Sequence, residues 1–410
     1  MNRVVITGIG AVTPIGLNKF EFFEGLKSGR NGIGPISLFE ASSFPVRFAG
    51  EVKNFGPGDK LFIDFIKKYP ELSAIEDRKA VLGFKAALEA IEDSGLGGAI
   101  ADAGLDFGVS LEAVPLGLIA SIVIEKSAGV KIQMPLDCLN KLLIERFGFT
   151  GPSFTNCSAC AASTQSIGHA FQIIRSGRAS VMIAGGHDSM INPLGVGGFA
   201  LLGALSARND SPETASRPFD ATRDGVVLGE GSAMLVLEEA GRAVKRGARI
   251  YAEIAGYGSS FDAYKATDPH PEGEGAALAM RRAIDDAGVE LREIDYINAH
   301  GTSTPKNDEA ETRAIKKVFG PLAYDIAVSS VKSMTGHLIG AAGAVETVSM
   351  VFALYEGIIP PTINYREKDR NCDLNYTPNA AAEFGGKCAL KNSFGFGGQN
   401  ACLVVKKFIK

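Results

Sequence analysis

The chain has little of what marks several large classes of protein. Its 410 residues carry 42 Lys and Arg against 46 Asp and Glu, so it lacks the basic excess that neutralises nucleic-acid phosphates. Its six cysteines are scattered without a disulfide framework, and its start has no apolar core of a secretory signal. The longest apolar stretch, 114–124, is far shorter than the ~20 residues of a membrane span. We therefore predict a cytoplasmic protein that neither binds nucleic acid nor inserts into a membrane.

What is present is enough apolar sequence for a large core. Hydrophobic residues make up 46% of the chain, and the length suffices for two structural units. Short apolar runs alternate with periodic helical stretches, which predicts a layered α/β architecture. The clearest predicted strands are 4–6, 181–184, 234–237 and 401–405.

An internal repeat predicts that the fold is duplicated. Two predicted helices each end at a glycine, and four of their residues recur at one constant separation along the chain. The first group is Ala90, Ile91, Asp93 and Gly95, and the second is Ala283, Ile284, Asp286 and Gly288. The strand and helix around Cys160 correspond more loosely to 328–331 and 340–355. We expect one half over 1–249, which carries Cys160, and another over 250–410, which carries His300 and His337. Equivalent corners of the two halves would then bring Cys160 and His337 face to face.

Cys160 is the candidate nucleophile. It lies where a short strand gives way to small residues and a long helix, and a helix N-terminus favours the thiolate. The structural alternative is a small buried hydrophobic residue. Cys157 forms a C-x-x-C with it, but no second pair follows at zinc spacing, which argues against a metal or redox site.

Two of the five histidines lie where a ligand could reach them. His300 ends a predicted strand before a run of Gly, Ser and Thr, and His337 occupies a similar strand-to-helix corner. His169 is expected to pack within a helix, and His187 and His270 to be structural or at the surface.

A thiol and two imidazoles without metal ligands suit carbon–carbon bond formation on a thioester. The thiol would hold an acyl group while the imidazoles stabilise an enolate oxygen or move a proton. Lys332 adds positive charge nearby. Asp308 and Glu311 either complement the start of the next helix or, for Glu311, pair with Lys332; the two roles are compatible.

Two glycine-rich segments have more than one interpretation. Gly8 and Gly10 follow a strand, but Thr13 stands where the third glycine of a dinucleotide-binding motif belongs, so that interpretation is rejected. The segment 392–398 is either a tight turn or a loop whose backbone contacts an oxyanion, with Phe396 as a movable plug over Cys160.

Taken together, these residues resemble the β-ketoacyl-acyl carrier protein synthase family, in particular the elongating synthase II branch of the thiolase superfamily. The resemblance is nearly continuous from about residue 150 and thinner before it. It is carried by 158–160 (SAC), 193–199 (PLGVGGF), 217–220 (RPFD), 223–231, 298–305 (NAHGTSTP), 332–343 (KSMTGHLIGAAG), 360–364 (PPTIN) and 392–398 (NSFGFGG).

The resemblance implies a thiolase-like five-layered αβαβα fold and a decarboxylating condensation with malonyl-acyl carrier protein, in fatty-acid or polyketide chain elongation. It implies acyl carrier protein as partner, a homodimer or a dimer with a related subunit, and no metal or dissociable cofactor, since phosphopantetheine arrives on the carrier. The implied roles are Cys160 as acyl acceptor, His300 and His337 at the enolate, Lys332 in orienting His337, Phe396 and Phe394 in the oxyanion site and gate, Thr302 and Thr304 at the pantetheine arm, and Glu311 and Asp308 in support.

Two alternative functions would each require a different set of residues. A non-catalytic chain-length factor typically lacks the nucleophile that Cys160 supplies. A degradative thiolase would need a second cysteine as base, and 392–398 contains none.

The chain also departs from the family in three places. Segment 108–114 lacks the usual glycine-rich turn near the acyl pocket, with Leu111, Glu112 and Val114 in its place, so a changed chain-length preference is expected. Segment 200–203 lacks a carrier-docking arginine, which directs attention to Lys67 and Lys68. Segment 64–79 suggests a specialised synthase.

Overall fold

The computed structural model describes residues 1–97, 100–111, 124 and 135–409. The strands of this part are β1 Val4–Val12, β2 Ile33–Pro35, β3 Phe48–Gly50, β4 Gly104–Gly108, β5 Ser153–Asn156, β6 Val181–Ser189, β7 Glu230–Glu239, β8 Ala252–Phe261, β9 Tyr296–Asn298, β10 Ala327–Ser329, β11 Ile358–Ile359, β12 Ala382–Glu383, β13 Cys388–Gly395 and β14 Gln399–Lys406. The four clearest strand predictions are confirmed within β1, β6, β7 and β14.

The helices of the same part are α1 Lys19–Lys27, α2 Lys60–Lys68, α3 Arg78–Ser94, α4 Cys138–Phe147, α5 Ala162–Arg175, α6 Pro193–Leu201, α7 Ala240–Lys245, α8 Glu274–Ala287, α9 Pro305–Phe319, α10 Lys332–Thr335 and α11 Ala342–Glu356. The repeated helix ends are α3 and α8. Both are closed by a glycine in the left-handed region, Gly95 at φ 67° and Gly288 at φ 61°, where a side chain would be strained.

Strand order repeats the same pattern twice in one ten-stranded mixed sheet. The order is β10-β9-β13-β14-β8-β1-β7-β6-β4-β5, and the two sets of five meet where β1 pairs with β8. From the centre outward, each set has two antiparallel pairings followed by two parallel ones. The predicted duplication is therefore confirmed.

Helices cover both faces of each set of strands, which gives five layers. Helices α5 and α11 share one apolar core with residues from both sets of strands and form the central layer. Helices α3 and α4 cover the outer face of the first set, and α8 and α9 that of the second. The segment Ile339–Glu356 has the length and composition of a membrane span, yet 89% of it is buried inside the molecule. Its apolar character is explained by its place in the central layer.

Gly8 and Gly10 lie inside β1, where it packs against α3. A Cβ atom on Gly10 would be 2.0 Å from the carbonyl oxygen of Ala86, and one on Gly8 would be 2.2 Å from that of Ala90. Both glycines therefore allow β1 and α3 to approach closely, which agrees with rejecting the dinucleotide interpretation.

Candidate active site

Cys160 lies at a tight corner between a strand and a helix. Strand β5 ends at Asn156, a 3₁₀ turn spans Ala159–Ala161, and α5 follows at once. Ala159 adopts φ 49°, a left-handed conformation that strains a residue with a side chain. Such strain is typical of functional corners, where the surrounding packing has to hold it. The corner leaves Cys160 only 4% exposed.

The second half of the chain repeats this corner without the thiol. Ile339 adopts φ 45° at the start of the 3₁₀ turn Ile339–Ala341, and α11 follows. Gly340 occupies the place that corresponds to Cys160. A Cβ atom there would lie 2.5 Å from the backbone of Val109 and 2.7 Å from the Asp188 carboxylate, so a side chain does not fit.

The duplicated corners bring the three predicted chemical groups together. The sulfur of Cys160 and one ring nitrogen from each of His300 and His337 lie within 4.8 Å of one another. The two imidazole centroids are 5.3 Å apart and nearly perpendicular, at 81°. Both histidines are buried. The two loops predicted to carry them therefore converge on the nucleophile corner.

Hydrogen bonds define which ring nitrogen of each histidine carries the proton. The backbone N–H of Ile339 donates to Nδ1 of His337 at 3.2 Å, and the ammonium of Lys332 lies 3.3 Å from Nδ1 of His300. An ammonium and an amide N–H can only donate, so each Nδ1 accepts and each neutral ring carries its proton on Nε2. Nε2 of His337 has no partner among the described residues. The site thus offers an unused N–H donor at His337.

This donor set suits an anion better than a metal ion. A metal needs a ring lone pair, but Nε2 of both His300 and His337 carries a proton in the arrangement above. Burial, followed by the charge of Lys332, also holds the pKa of both imidazoles well below its usual range. Both rings are therefore neutral N–H donors at neutral pH, next to a cation.

Lys332 pairs with Glu346 and not with Glu311 as the sequence suggested. Its Nζ donates to a Glu346 carboxylate oxygen and, at 2.5 Å, to the carbonyl oxygen of His300. Glu311 instead accepts the backbone N–H groups of His300 and Gly301, both at 2.8 Å. The pairing prediction is wrong because Glu311, in the early part of α9, is held beneath the loop that leads into its own helix.

Asp308 supports the same loop one turn earlier in α9. Its carboxylate accepts the backbone N–H groups of Phe219 at 2.8 Å and Thr302 at 3.0 Å. Nε of Arg223 lies 3.5 Å away. Both Asp308 and Glu311 are buried, so their hydrogen bonds fix the loop through charge-assisted contacts in a water-poor setting.

Burial opposes thiolate formation at Cys160. It raises the pKa of the thiol to about 11, against a backbone hydrogen bond from Phe396 and the charge of Lys332, which both lower it. From the sequence, the helix N-terminus was expected to favour the Cys160 thiolate. In the resting site, desolvation outweighs that effect, so the thiol form predominates.

A cavity of about 370 Å³ opens onto the three chemical groups. Thr302 and Thr304 line it, and their hydroxyl oxygens are 2.9 Å apart. Phe394 lies edge-on to His300 with centroids 5.9 Å apart, and Phe396 stacks on Phe199 at 6.1 Å. The structure therefore places every predicted pantetheine and gating residue on the wall of one cavity.

The last glycine loop lies directly against the nucleophile. A Cβ atom on Gly395 would be 3.2 Å from the backbone nitrogen of Cys160. Gly397 and Gly398 follow Phe396 at φ 80° and 82°, a conformation that favours glycine. The loop is therefore a tight turn, and the backbone N–H of its Phe396 donates to the Cys160 sulfur.

The other histidines lie away from the cluster. His187 is buried behind Phe107, and His169 contacts Asp106 at 2.7 Å and Phe154 at the sheet edge. His270 lies in the loop after β8. These positions agree with the structural or surface roles expected of them.

The residues singled out where the chain departs from the family lie outside the cavity wall or outside the described residues. Leu111 is 61% exposed in the single chain and does not line the cavity, unlike its expected location. Glu112 and Val114 lie outside the described residues. Lys67 and Lys68 are exposed at the end of α2, and the expectation that they bind a carrier protein stays a prediction.

Sequence reasoning missed Glu346 and Lys391. Both are buried, and Nζ of Lys391 lies 2.7 Å from the Glu346 carboxylate. The available signal was a charged residue at the end of a short apolar run: Lys391 follows Cys388, Ala389 and Leu390 in β13. A buried charge in such a setting needs a partner, which the sequence alone does not identify.

Comparison with known proteins agrees with the fold and the site. The beta-ketoacyl synthase N-terminal domain model matches residues 1–243, and the C-terminal domain model matches 251–366. The 3-oxoacyl-[acyl-carrier-protein] synthase 2 of Coxiella burnetii (strain RSA 493 / Nine Mile phase I) is 44% identical, over 99% of this chain and 98% of that protein. The same-named protein of Synechocystis sp. (strain ATCC 27184 / PCC 6803 / Kazusa) is 45% identical over the same shares.

Among solved structures, a ketosynthase in complex with its type II polyketide acyl-carrier protein, bound to a hexaketide, superposes with a TM-score of 0.88. It is 31% identical, over 99% of this chain and 100% of that one. The predicted thiolase fold and the prediction of an acyl-transferring condensing enzyme are confirmed. The chain belongs to the β-ketoacyl synthase family.

Proposed function

We propose that the protein condenses an acyl group held on Cys160 with malonyl-acyl carrier protein to give a 3-oxoacyl-acyl carrier protein. The observation that carries this is the cluster of one thiol and two neutral imidazoles at the base of one cavity, with Nε2 of His337 unpartnered among the described residues. An enolate oxygen is the anion that such donors suit.

The first step is acyl transfer. The sulfur of Cys160 attacks the acyl thioester, the bond from the carbonyl carbon to the carrier sulfur breaks, and the proton of the thiol leaves with the carrier thiol. The backbone N–H groups of Cys160 and Phe396 stabilise the oxyanion of the tetrahedral intermediate. Because burial disfavours the thiolate, the Phe396 backbone N–H and the charge of Lys332, which both lower the pKa of the thiol, have to assist its ionisation.

The second step is decarboxylation and condensation. The malonyl carboxylate leaves as carbon dioxide, and its bonding electron pair forms an enolate whose oxygen accepts N–H bonds from His300 and His337. The enolate carbon then attacks the acyl carbonyl on Cys160. The carbon–sulfur bond breaks, and the Cys160 sulfur leaves as thiolate and takes up one proton from solvent to restore the thiol.

The residues that line the cavity suit a phosphopantetheine arm carried by a partner protein. Thr302 and Thr304 offer hydroxyls to the amides of a phosphopantetheine arm carried by an acyl carrier protein. No separate cofactor enters this scheme. The chain acts in the cytoplasm, as a homodimer or with a related subunit, and its halves are 1–249 with Cys160 and 250–410 with His300 and His337.

Intact-protein mass spectrometry tests the nucleophile. After incubation with an acyl-acyl carrier protein we expect one acyl adduct, retained in Cys157→Ala and absent in Cys160→Ala. Cys157 is the matched control because it lies three residues away and is exposed. Adding malonyl-acyl carrier protein should then release carbon dioxide and a 3-oxoacyl product. Normal condensation by Cys160→Ala would refute the assignment.

A further inference from the structure

Lys391 is a second buried cation beside the reacting groups. Its side chain is fully buried in β13, and its Nζ lies 2.7 Å from one carboxylate oxygen of Glu346, while Lys332 pairs with the other oxygen. Two ammonium groups thus share one carboxylate. Burying an ammonium costs several kcal/mol unless it is compensated, and one carboxylate cannot neutralise two cations.

The remaining neighbours of Lys391 are neutral oxygens and titratable groups. Its Nζ donates to the hydroxyl of Ser393 at 3.0 Å and to the carbonyl of Asn392, which are both neutral. The titratable groups are Glu311 on α9, Cys402 on β14 and the imidazoles of His300 and His337. Burial, and after it the charge of Lys332, lower the pKa of Lys391, while the Glu346 and Glu311 carboxylates oppose that effect.

Packing alone does not explain a lysine at this position. The strand is buried on both sides of it, and an apolar residue of similar volume generally costs less than a buried ion. The position is also close to the chemistry, since β13 continues through Phe394 and Gly395 to the Cys160 corner. A cation kept here, against its desolvation cost, points to an electrostatic role.

We propose that Lys391 is a positioning residue: by sharing Glu346 with Lys332, it makes the site one charge more positive than Lys332 and Glu346 alone would, and this charge stabilises the enolate that develops at His300 and His337. The inference rests on the proposed function, because it assigns the charge to the decarboxylation step. Lys391 acts through the Lys332 and Glu346 groups and touches no reacting atom.

The electrostatics of the two imidazoles agree with this role. Burial, then Lys332, then Lys391 lower the pKa of His337; burial, then Lys332, His337 and Lys391 lower that of His300. Removing the positive charge of Lys391 therefore raises both pKa values. The acid limb of the decarboxylation rate should then move to higher pH.

The test compares pH profiles of two separate steps. Lys391→Met should lower carbon dioxide release from malonyl-acyl carrier protein roughly tenfold at pH 7 and move its acid limb up by roughly one pH unit, the size of one charge's effect. Formation of the Cys160 acyl adduct should change by less than about threefold, since the imidazoles are assigned to the enolate. Lys79→Met, which also removes a buried lysine from a carboxylate, Asp77, is the matched control and should keep the wild-type profile.

A charge-restoring double variant separates electrostatics from packing. Lys391→Met with Glu346→Gln removes one positive and one negative charge, so the net charge of the site returns to its wild-type value and the acid limb should move back toward the wild-type position. Lys391→Gln replaces Lys391→Met under the same criteria if the latter is insoluble.

Equal losses in acylation and decarboxylation with an unmoved acid limb would overturn the role of Lys391. The same holds if the double variant shows no return of the limb. Failure of the proposed function is recognised separately, because the wild-type protein would then form no adduct and no 3-oxoacyl product.

Discussion

Replacing His337 with alanine should slow malonyl decarboxylation far more than acylation of Cys160. The change removes one of the two Nε2–H donors assigned to the enolate oxygen, the one without a partner in the resting site. Loss of one well-placed oxyanion donor typically slows a step about 10²- to 10³-fold, or about 2.7–4 kcal/mol of transition-state stabilisation. We expect that loss in malonyl decarboxylation, while acylation of Cys160 falls by less than about tenfold.

The assay follows both steps on the same protein. Acyl-enzyme formation is measured by intact mass, and decarboxylation by release of labelled carbon dioxide from malonyl-acyl carrier protein. His187→Ala is the control, because His187 is equally buried but packs behind Phe107. Losses of similar size in both steps for His337→Ala would contradict the assignment of the imidazole to the enolate.

Three further outcomes follow from the same geometry. Decarboxylation by the wild-type protein should stay level from pH 8 down to 6.5, because burial holds the pKa of His300 and His337 well below 6.5; a midpoint at or above 6.5 would contradict this. Gly10→Ala should lower the melting temperature, since its Cβ would lie 2.0 Å from a carbonyl oxygen, whereas Gly34→Ala meets nothing within 4 Å and should not. Glu311→Gln should lower both stability and decarboxylation, because an amide cannot accept all the N–H groups that fix the His300 loop; thermal unfolding and carbon dioxide release measure the two effects.

The pattern of apolar residues was sufficient to predict the main buried strands and the duplication of the fold. Buried strands show as apolar runs, and the glycines that close α3 and α8 stand at matching places because both helices need a left-handed residue there. The convergence of Cys160 and His337 followed from that duplication. Local sequence therefore predicted which loops meet.

The partners of buried charges could not be predicted in the same way. Glu346 lies within the apolar helix α11 and is separated in sequence from both lysines that it serves. Glu311 looked equally suitable for Lys332, and only the path of the backbone shows that its carboxylate is held by its own loop. The balance between desolvation and helix dipole at Cys160 also depends on packing around the sulfur, which no local pattern encodes.

The crowding at Gly340 has a consequence for stoichiometry. A duplicated fold offers two equivalent corners, but at the second one the backbone of Val109 occupies the space that a side chain would need. Under the proposed function, a covalent acyl group can therefore form once per chain. Titration with an acyl donor should count folded chains one for one, in whatever assembly they occur.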